Sequence, residues 1–119
     1  MAKNVFYEIA EKYESGEWEW SKGIYHEKLH GKLHCCAIGA LCTAVGVQPV
    51  DIMHISVSGD KYLTLIYNIL REATGITDKR SVHCWNDDRK RTKEEIISAF
   101  KKAGELWGKQ SKYWEKQYG

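Results

Sequence analysis

Apolar side chains recur at helical spacing in three segments of the chain, residues 4–14, 61–74 and 93–107. Successive apolar positions in each are three or four residues apart, which is the spacing of one face of an α-helix. A fourth segment, "CCAIGALCTAV" (35–45), is apolar on every side, as a buried helix is. The pattern therefore predicts an all-α fold, a small bundle of about four helices.

Local signals mark the ends of these helices. Gly16, Gly46 and Gly75 follow the helical segments 4–14, 35–45 and 61–74, at positions typical of helix C-termini. Asp60 is a suitable N-cap for the segment that begins at residue 61. "TKEE", residues 92–95, has the composition of a capping box, in which the hydroxyl and the carboxylate each bond a backbone amide of the other residue. The last helix therefore has the clearest start.

Two stretches carry no steady period. Residues 17–34, "EWEWSKGIYHEKLHGKLH", contain two glycines, and we predict a long aromatic-rich loop there. "VDIMHISVSG" (50–59) fits either a loop or a short strand. We predict one helical domain over residues 1–107, followed by an aromatic C-terminal tail, residues 108–119.

The C-terminal tail continues an aromatic stripe. Trp107, Trp114 and Tyr118 are seven and four residues apart, which places them on one side of a helix. The tail either folds back on its own bundle or docks on a second copy, since exposed aromatic stripes are typical of interfaces. We expect a homo-oligomer, a dimer or a tetramer, with the tail as the oligomerisation element.

Composition and charge narrow the class of protein. The longest apolar run is too short to span a membrane, and no secretory signal is visible. Four cysteines, two of them adjacent, make a poor disulfide framework, so we expect a cytoplasmic protein, in the bacterial cytosol or in that of a phage-infected host. The net charge of +2 is too small for a double-stranded nucleic-acid interface. Residues 79–119 hold 11 bases and 6 acids, which favours a small anionic ligand.

The stretch "HCWNDDRKRTKEE" (83–95) has two interpretations. It is a structural turn before the last helix, or it is a recognition surface in which tryptophan stacks a ring, amide and carboxylate groups pair with polar edges, and Arg91 meets a phosphate. In the second interpretation the "WSKGIY" loop (20–25) completes the pocket. The predicted ligand-binding residues are Trp20, Lys22, Tyr25, Trp85, Asn86, Asp87, Arg91 and Thr92. We predict no metal and no cofactor.

Cysteine and histidine allow two further hypotheses. Cys36 lies at the start of an apolar helix, where a thiol can become a nucleophile, and His83 and Asp87 could complete a cysteine-dependent hydrolase. His26, His30 and His34, followed by two cysteines, have spacings that allow a zinc site, although Gly31 interrupts them. Buried structural thiols and surface histidines explain both patterns more simply.

Three motifs carry a resemblance to a known family. "WSKG" (20–23), "CAIGAL" (36–41) and "WND" with "RT" (85–87, 91–92) occur in this order along the chain. The pattern resembles an uncharacterised family of small bacterial and phage proteins, domain of unknown function 6197. Ile38 replaces the usual leucine of the second motif. The family has no assigned activity, so the resemblance informs the fold more than the function.

The hypothesis that combines these features is a non-enzymatic protein that binds a small, nucleotide-like anion. The resemblance to phage proteins suggests a specific form of it, an anti-defence sponge that sequesters a cyclic nucleotide immune signal. Stacking contributes about 1–3 kcal/mol per base, so two bases and two phosphates suffice for tight binding without a metal. The cysteine-dependent hydrolase and a structural or protein-interaction module remain as alternatives.

Overall fold

The structure is a computed structural model that describes residues 4–22, 27–46, 61–76 and 82–118, with side chains for all of these except 61–64, 83 and 110–118. The described residues form five helices and a small sheet. In chain order these are α1 (Val5–Ser15), β1 (Trp18–Trp20), β2 (Glu27–Leu29), β3 (Lys32–Cys35), α2 (Ala37–Val45), α3 (Lys61–Thr74), α4 (Val82–Asn86) and α5 (Lys93–Tyr118).

The sheet shows that the predicted all-α fold is wrong. β3 lies in the centre of the sheet, parallel to β1 and antiparallel to β2, so the strand order is β1-β3-β2. β1 and β2 fall in the stretch that the sequence predicted as a loop, and so does β3 apart from Cys35, which was predicted as the start of the buried helix. They are only three or four residues long, which is too short for alternation of apolar and polar residues to show. The parallel pairing of β1 with β3 also joins residues that are not neighbours in the chain, so no local signal announces it.

A two-residue turn connects β2 to β3. His30 and Gly31 both have positive φ, 53° and 78°, as the type I′ turn of a tight hairpin requires. Asn-Gly is the usual sequence for this turn, and His-Gly is a weaker form of the same signal. The glycine that interrupts the histidine stretch is therefore the second residue of a hairpin turn.

The four predicted helices lie close to their predicted positions, and α4 is a further short helix in the stretch that was predicted as a turn. α1 and α2 end at glycines in the left-handed conformation, Gly16 and Gly46, and Gly75 follows α3 with positive φ. α5 is continuous through Gly108 to Tyr118, so the aromatic tail is part of this helix. Asp60, Pro49 and the segment 50–59 lie outside the described residues.

The core lies between α1, α3 and α5, with α2 and β3 packed at one end. α1 runs antiparallel to α5: Glu14, near the end of α1, pairs with Lys101 at 2.7 Å, and Asn4 donates to the carbonyl oxygen of Gly104 at 3.0 Å. The apolar faces predicted from the sequence are buried here, including Phe6 and Phe100. No helix among the described residues has the length and hydropathy needed to cross a membrane.

The Tyr13 hydroxyl connects α1 to the junction between β3 and α2. It donates to the carbonyl oxygen of Cys35 at 2.8 Å, and the carbonyl oxygen of Cys36 lies 3.2 Å from it. The Tyr13 ring is fully buried and packs at 6.1 Å, centroid to centroid, from the ring of Phe100. One side chain of α1 thus fixes the position at which the sheet ends and α2 begins.

The capping box predicted at the start of α5 is confirmed, and its removal is a test of the fold. The Glu95 amide donates to the Thr92 hydroxyl at 3.3 Å, and the Thr92 amide donates to the Glu95 carboxylate at 3.1 Å. We expect Thr92→Ala to lower the free energy of unfolding by about 1 kcal/mol, because a helix amide loses its acceptor. Ser98→Ala removes an exposed hydroxyl from the middle of α5 and is the control, expected to change it by less than about 0.5 kcal/mol. Urea titrations followed by circular dichroism measure both, and equal effects would contradict the capping role.

Candidate functional site

The three sequence motifs meet at the side chain of Asn86, the last residue of α4. Its amide oxygen accepts a hydrogen bond from the indole N–H of Trp20 at 2.8 Å, and another from the backbone N–H of Ala37 at 2.9 Å. Trp20 ends β1 and Ala37 begins α2, so one oxygen atom joins the sheet, the buried helix and α4. The sequence predicted the first and third motifs in one pocket, and the structure places all three motifs around one buried atom.

Asn86 is fully buried, and it is the buried polar residue among the described side chains. An amide oxygen has two lone pairs, and both are used by the two N–H donors. The Asn86 nitrogen in turn donates to the carboxylate of Asp87 at 2.9 Å. The amide that was expected to read a ligand is therefore directed into the fold and bonded there.

Arg91 lies on the tryptophan of the same motif. The centre of its guanidinium is 4.1 Å from the Trp85 ring centroid, a cation–π distance. The Arg91 Nε donates to the backbone carbonyl oxygen of Trp85 at 3.0 Å, and Nη1 donates to the Glu95 carboxylate at 2.7 Å. This pair keeps the pKa of the Glu95 carboxyl below its ordinary value, mainly through the hydrogen bond from Arg91. Three contacts thus hold the guanidinium in one position at the start of α5.

A groove of about 350 Å³ opens beside this pair. It lies between the end of α3, Trp85 of α4 and the first three turns of α5. The residues that line it are Ala73, Thr74, Trp85, Arg91, Glu94, Glu95, Ser98, Ala99 and Lys102. Two cations, two carboxylates and two hydroxyls thus surround a floor of two alanines and a tryptophan. Such a mixture can bind an anion that also carries hydrogen-bonding groups.

Among the described residues, the other predicted ligand-binding residues lie outside this groove. Lys22 is exposed, with its ammonium 5.6 Å from the Trp20 ring centroid and 3.0 Å from the backbone oxygen of Arg89, to which it donates. Thr92 caps α5. Tyr25 lies outside the described residues. Of the eight predicted residues, Trp85 and Arg91 line the groove.

The groove also contains polar residues that the sequence did not single out. Thr74 comes from the last turn of α3, and Ser98 and Lys102 lie one helical turn apart on α5. Each is an ordinary residue of an amphipathic helix in the sequence. Only the packing of α3 against α5 brings them next to Arg91, so no local pattern could have found them.

Cys36 has a structural role at the start of α2. It is the N-cap residue, and its sulfur accepts the backbone N–H of Gly39 at 3.4 Å. The side chain is almost fully buried, and this burial raises the pKa of the thiol, as does the nearby Asp87 carboxylate. Burial also raises the pKa of the adjacent Cys35 thiol, to about 11. Both features oppose the thiolate that a cysteine-dependent hydrolase needs.

The histidines do not form a cluster in the part of the chain that the structure describes. His30 lies in the hairpin turn, while His34 lies in β3, where its Nδ1 is 3.3 Å from the Ser21 hydroxyl. His26 lies outside the described residues. Among those described, no three histidine, cysteine or carboxylate side chains come together as metal ligands would.

Comparison with known proteins identifies the family. The model of a family of unknown function, DUF6197, matches residues 16–106. The chain belongs to this family. No curated protein and no solved structure matches it. The matched range runs from the end of α1 to the middle of α5, so it contains all three motifs, Asn86 and all of the α5 residues that line the groove.

The bonds of Asn86 lead to a test of its role in stability. We expect Asn86→Ala to lower the free energy of unfolding by about 2–4 kcal/mol, because two donors, one of them buried, lose their acceptor. Asn68→Ala makes the same change at an exposed position of α3 and is expected to cost less than about 0.5 kcal/mol. Thermal and urea unfolding of both variants measure the difference. A mild effect at both positions would show that Asn86 does not hold the motifs together.

The burial of the thiols leads to a test by alkylation. At neutral pH a thiol with a raised pKa is protonated, so we expect iodoacetamide to react slowly with Cys35 and Cys36. We expect slow reaction with Cys42 as well, because it is buried. Cys84 is exposed and should be the first cysteine modified. Peptide mass spectrometry of the native protein, with the urea-unfolded protein as the control, locates the modified residues. Modification of Cys36 at a rate equal to that of Cys84 would restore the nucleophile hypothesis.

Proposed function

We propose that this protein binds a small anionic ligand in the groove beside Arg91 and does not transform it chemically. The observation that carries the proposal is that the Arg91 guanidinium is held in place while some of its N–H donors are unused. Its side chain is only 17% exposed, and three contacts hold it in place. A guanidinium has five N–H donors, of which two are used here. The remaining three have no partner among the described residues, although the group lines a groove.

A fixed arginine with unused donors is suited to an anion. Charge-assisted hydrogen bonds from a guanidinium to phosphate are among the strongest in proteins, and a group that is already ordered loses less entropy on binding. Lys102 adds a second positive charge, and Thr74 and Ser98 add hydroxyls. The carboxylate of Glu95 is already paired with Arg91, so it repels an anion less than an unpaired one would.

The stack of Arg91 on Trp85 changes how a ring would bind. One face of the tryptophan is covered by the guanidinium, so a planar ligand would stack on the guanidinium plane, which tolerates any aromatic ring. A base carried by a phosphate satisfies both requirements. We therefore propose a nucleotide-like ligand.

The biological role that we propose is sequestration in the cytoplasm. In this role a cyclic nucleotide immune signal would be bound at Arg91 and kept intact, as in a phage anti-defence sponge. The buried Cys36 supports binding over hydrolysis. We also propose a homo-oligomer, a dimer or a tetramer, in which the C-terminal half of α5 makes the contact between copies.

The test is binding followed by release. Purified protein is incubated with a panel of cyclic di- and trinucleotides and cyclic ADP-ribose isomers, separated from unbound ligand and heat-denatured, and the released ligand is analysed by mass spectrometry. We expect one ligand to be recovered intact. Arg91→Ala should weaken its binding at least about tenfold, because the charge-assisted bonds are lost.

Arg89→Ala is the matched control, since Arg89 is exposed and does not line the groove. It should bind within about twofold of the unchanged protein. Recovery of a cleaved ligand would mean that the protein is an enzyme. Failure to bind any member of the panel would contradict the nucleotide-like ligand and favour a protein-interaction module.

A further inference from the structure

α5 extends well past the helix on which it packs. Going along α5, Lys101 lies beside Glu14, and Gly104 lies beside both Tyr7 and Asn4. α1 begins at Val5, so it is already at its first turn where it meets Gly104. α5 continues to Tyr118, which adds roughly 20 Å of helix beyond that point. Because the helix is unbroken, this half of α5 cannot fold back on its own α1.

The side of α5 that faces α1 continues into this extension. Phe100, Gly104 and Trp107 follow one another at helical spacing on that side. The same spacing places Trp114 and Tyr118 next along the stripe. The sequence of this half is basic, with three lysines against one glutamate over residues 108–118. Two such helices carry charge of the same sign, so an acidic surface is a better partner for each of them than the other helix is.

The outer face of α1 has the opposite charge. The helix and the residues that follow it directly carry four acidic side chains, Glu8, Glu11, Glu14 and Glu17, and one basic side chain, Lys12. A groove of about 330 Å³ lies along this face, and one of about 440 Å³ lies at its edge, where Lys101 of α5, which is paired with Glu14, also lines it. Tyr7, 46% exposed, and Ala10 give the larger groove an apolar side.

Glu11 lies between the two grooves and lines both. Glu14 is paired with Lys101, and Glu17 is paired with Lys12 at 2.8 Å. Glu11 is exposed and has no partner among the described residues. A basic, aromatic helix needs a carboxylate to pair with its lysines and an apolar groove for its aromatic side chains, and this surface has both.

We infer that the outer face of α1 binds the C-terminal half of α5 from a second copy of this chain. In a twofold dimer each copy gives one helix and receives one, so both contacts form together. Aromatic residues of the incoming helix occupy the groove beside Tyr7, and its lysines face Glu11. The inference deepens the assembly proposed above by assigning its surface, and it does not depend on which ligand the Arg91 groove takes.

Sedimentation equilibrium of the full chain tests this inference at several salt concentrations. We expect a dimer that weakens as salt is added, since the contact is between opposite charges. Glu11→Lys should raise the dimer dissociation constant at least about tenfold, because it sets a cation against the incoming lysines. Glu105→Lys makes the same charge change at an exposed position of α5 outside both grooves, and it should stay within about twofold.

Circular dichroism melting shows whether each variant folds, and both positions are exposed, so both should. A monomer at high micromolar concentration of the unchanged chain would overturn the inference. A dimer that survives Glu11→Lys but is lost when residues 108–119 are deleted would also overturn it, because the tail would then dock elsewhere. Nucleotide binding is measured separately, so loss of the dimer and loss of the ligand can be told apart.

Discussion

The amide oxygen of Asn86 accepts two hydrogen bonds, from the Trp20 indole and from the first amide of α2, and the rest of the structure depends on this arrangement. A buried oxygen has to be satisfied, and so do the donors that face it. The end of β1, the start of α2 and the end of α4 therefore have to meet at one point. The start of α2 is also where the Tyr13 hydroxyl and the Cys36 cap make their bonds, so α1 and the sheet are fixed relative to the same point.

This constraint separates the residues of the third motif into two roles. Asn86 is inside the fold, while Trp85 and Arg91 are at the edge of a groove. The structural interpretation of this turn holds for Asn86, which anchors the chain inside the fold. Arg91 lines the groove, where we propose a ligand, so we expect mutation of Asn86 to affect stability first and mutation of Arg91 to affect binding first.

The two surfaces proposed for binding are formed with different neighbours of α5. The Arg91 groove is formed with α3 and α4, whereas the acidic grooves lie on α1, which packs on another side of α5. α5 is thus the element that both surfaces share: its first three turns line the ligand groove and its last three are the proposed contact with a second copy. The helix is long because it continues through Gly108 to Tyr118. No other residue packs against Gly108 at the position where a Cβ would be.

The sequence by itself determined the helices, their glycine stops, the capping box and the burial of the apolar faces. All of these depend on interactions within one or two helical turns, so a short window of residues contains the whole signal. The sheet, the interior position of Asn86 and the Arg91 groove depend on residues distant in the chain, such as Trp20 and Asn86, which are 66 positions apart. Asparagine is mostly exposed in proteins and is favoured in turns, so the type of this residue and its neighbours did not show its burial. Only the packing of α4 against β1 and α2 decided that the Asn86 amide is enclosed and that Arg91 lies at the edge of the groove.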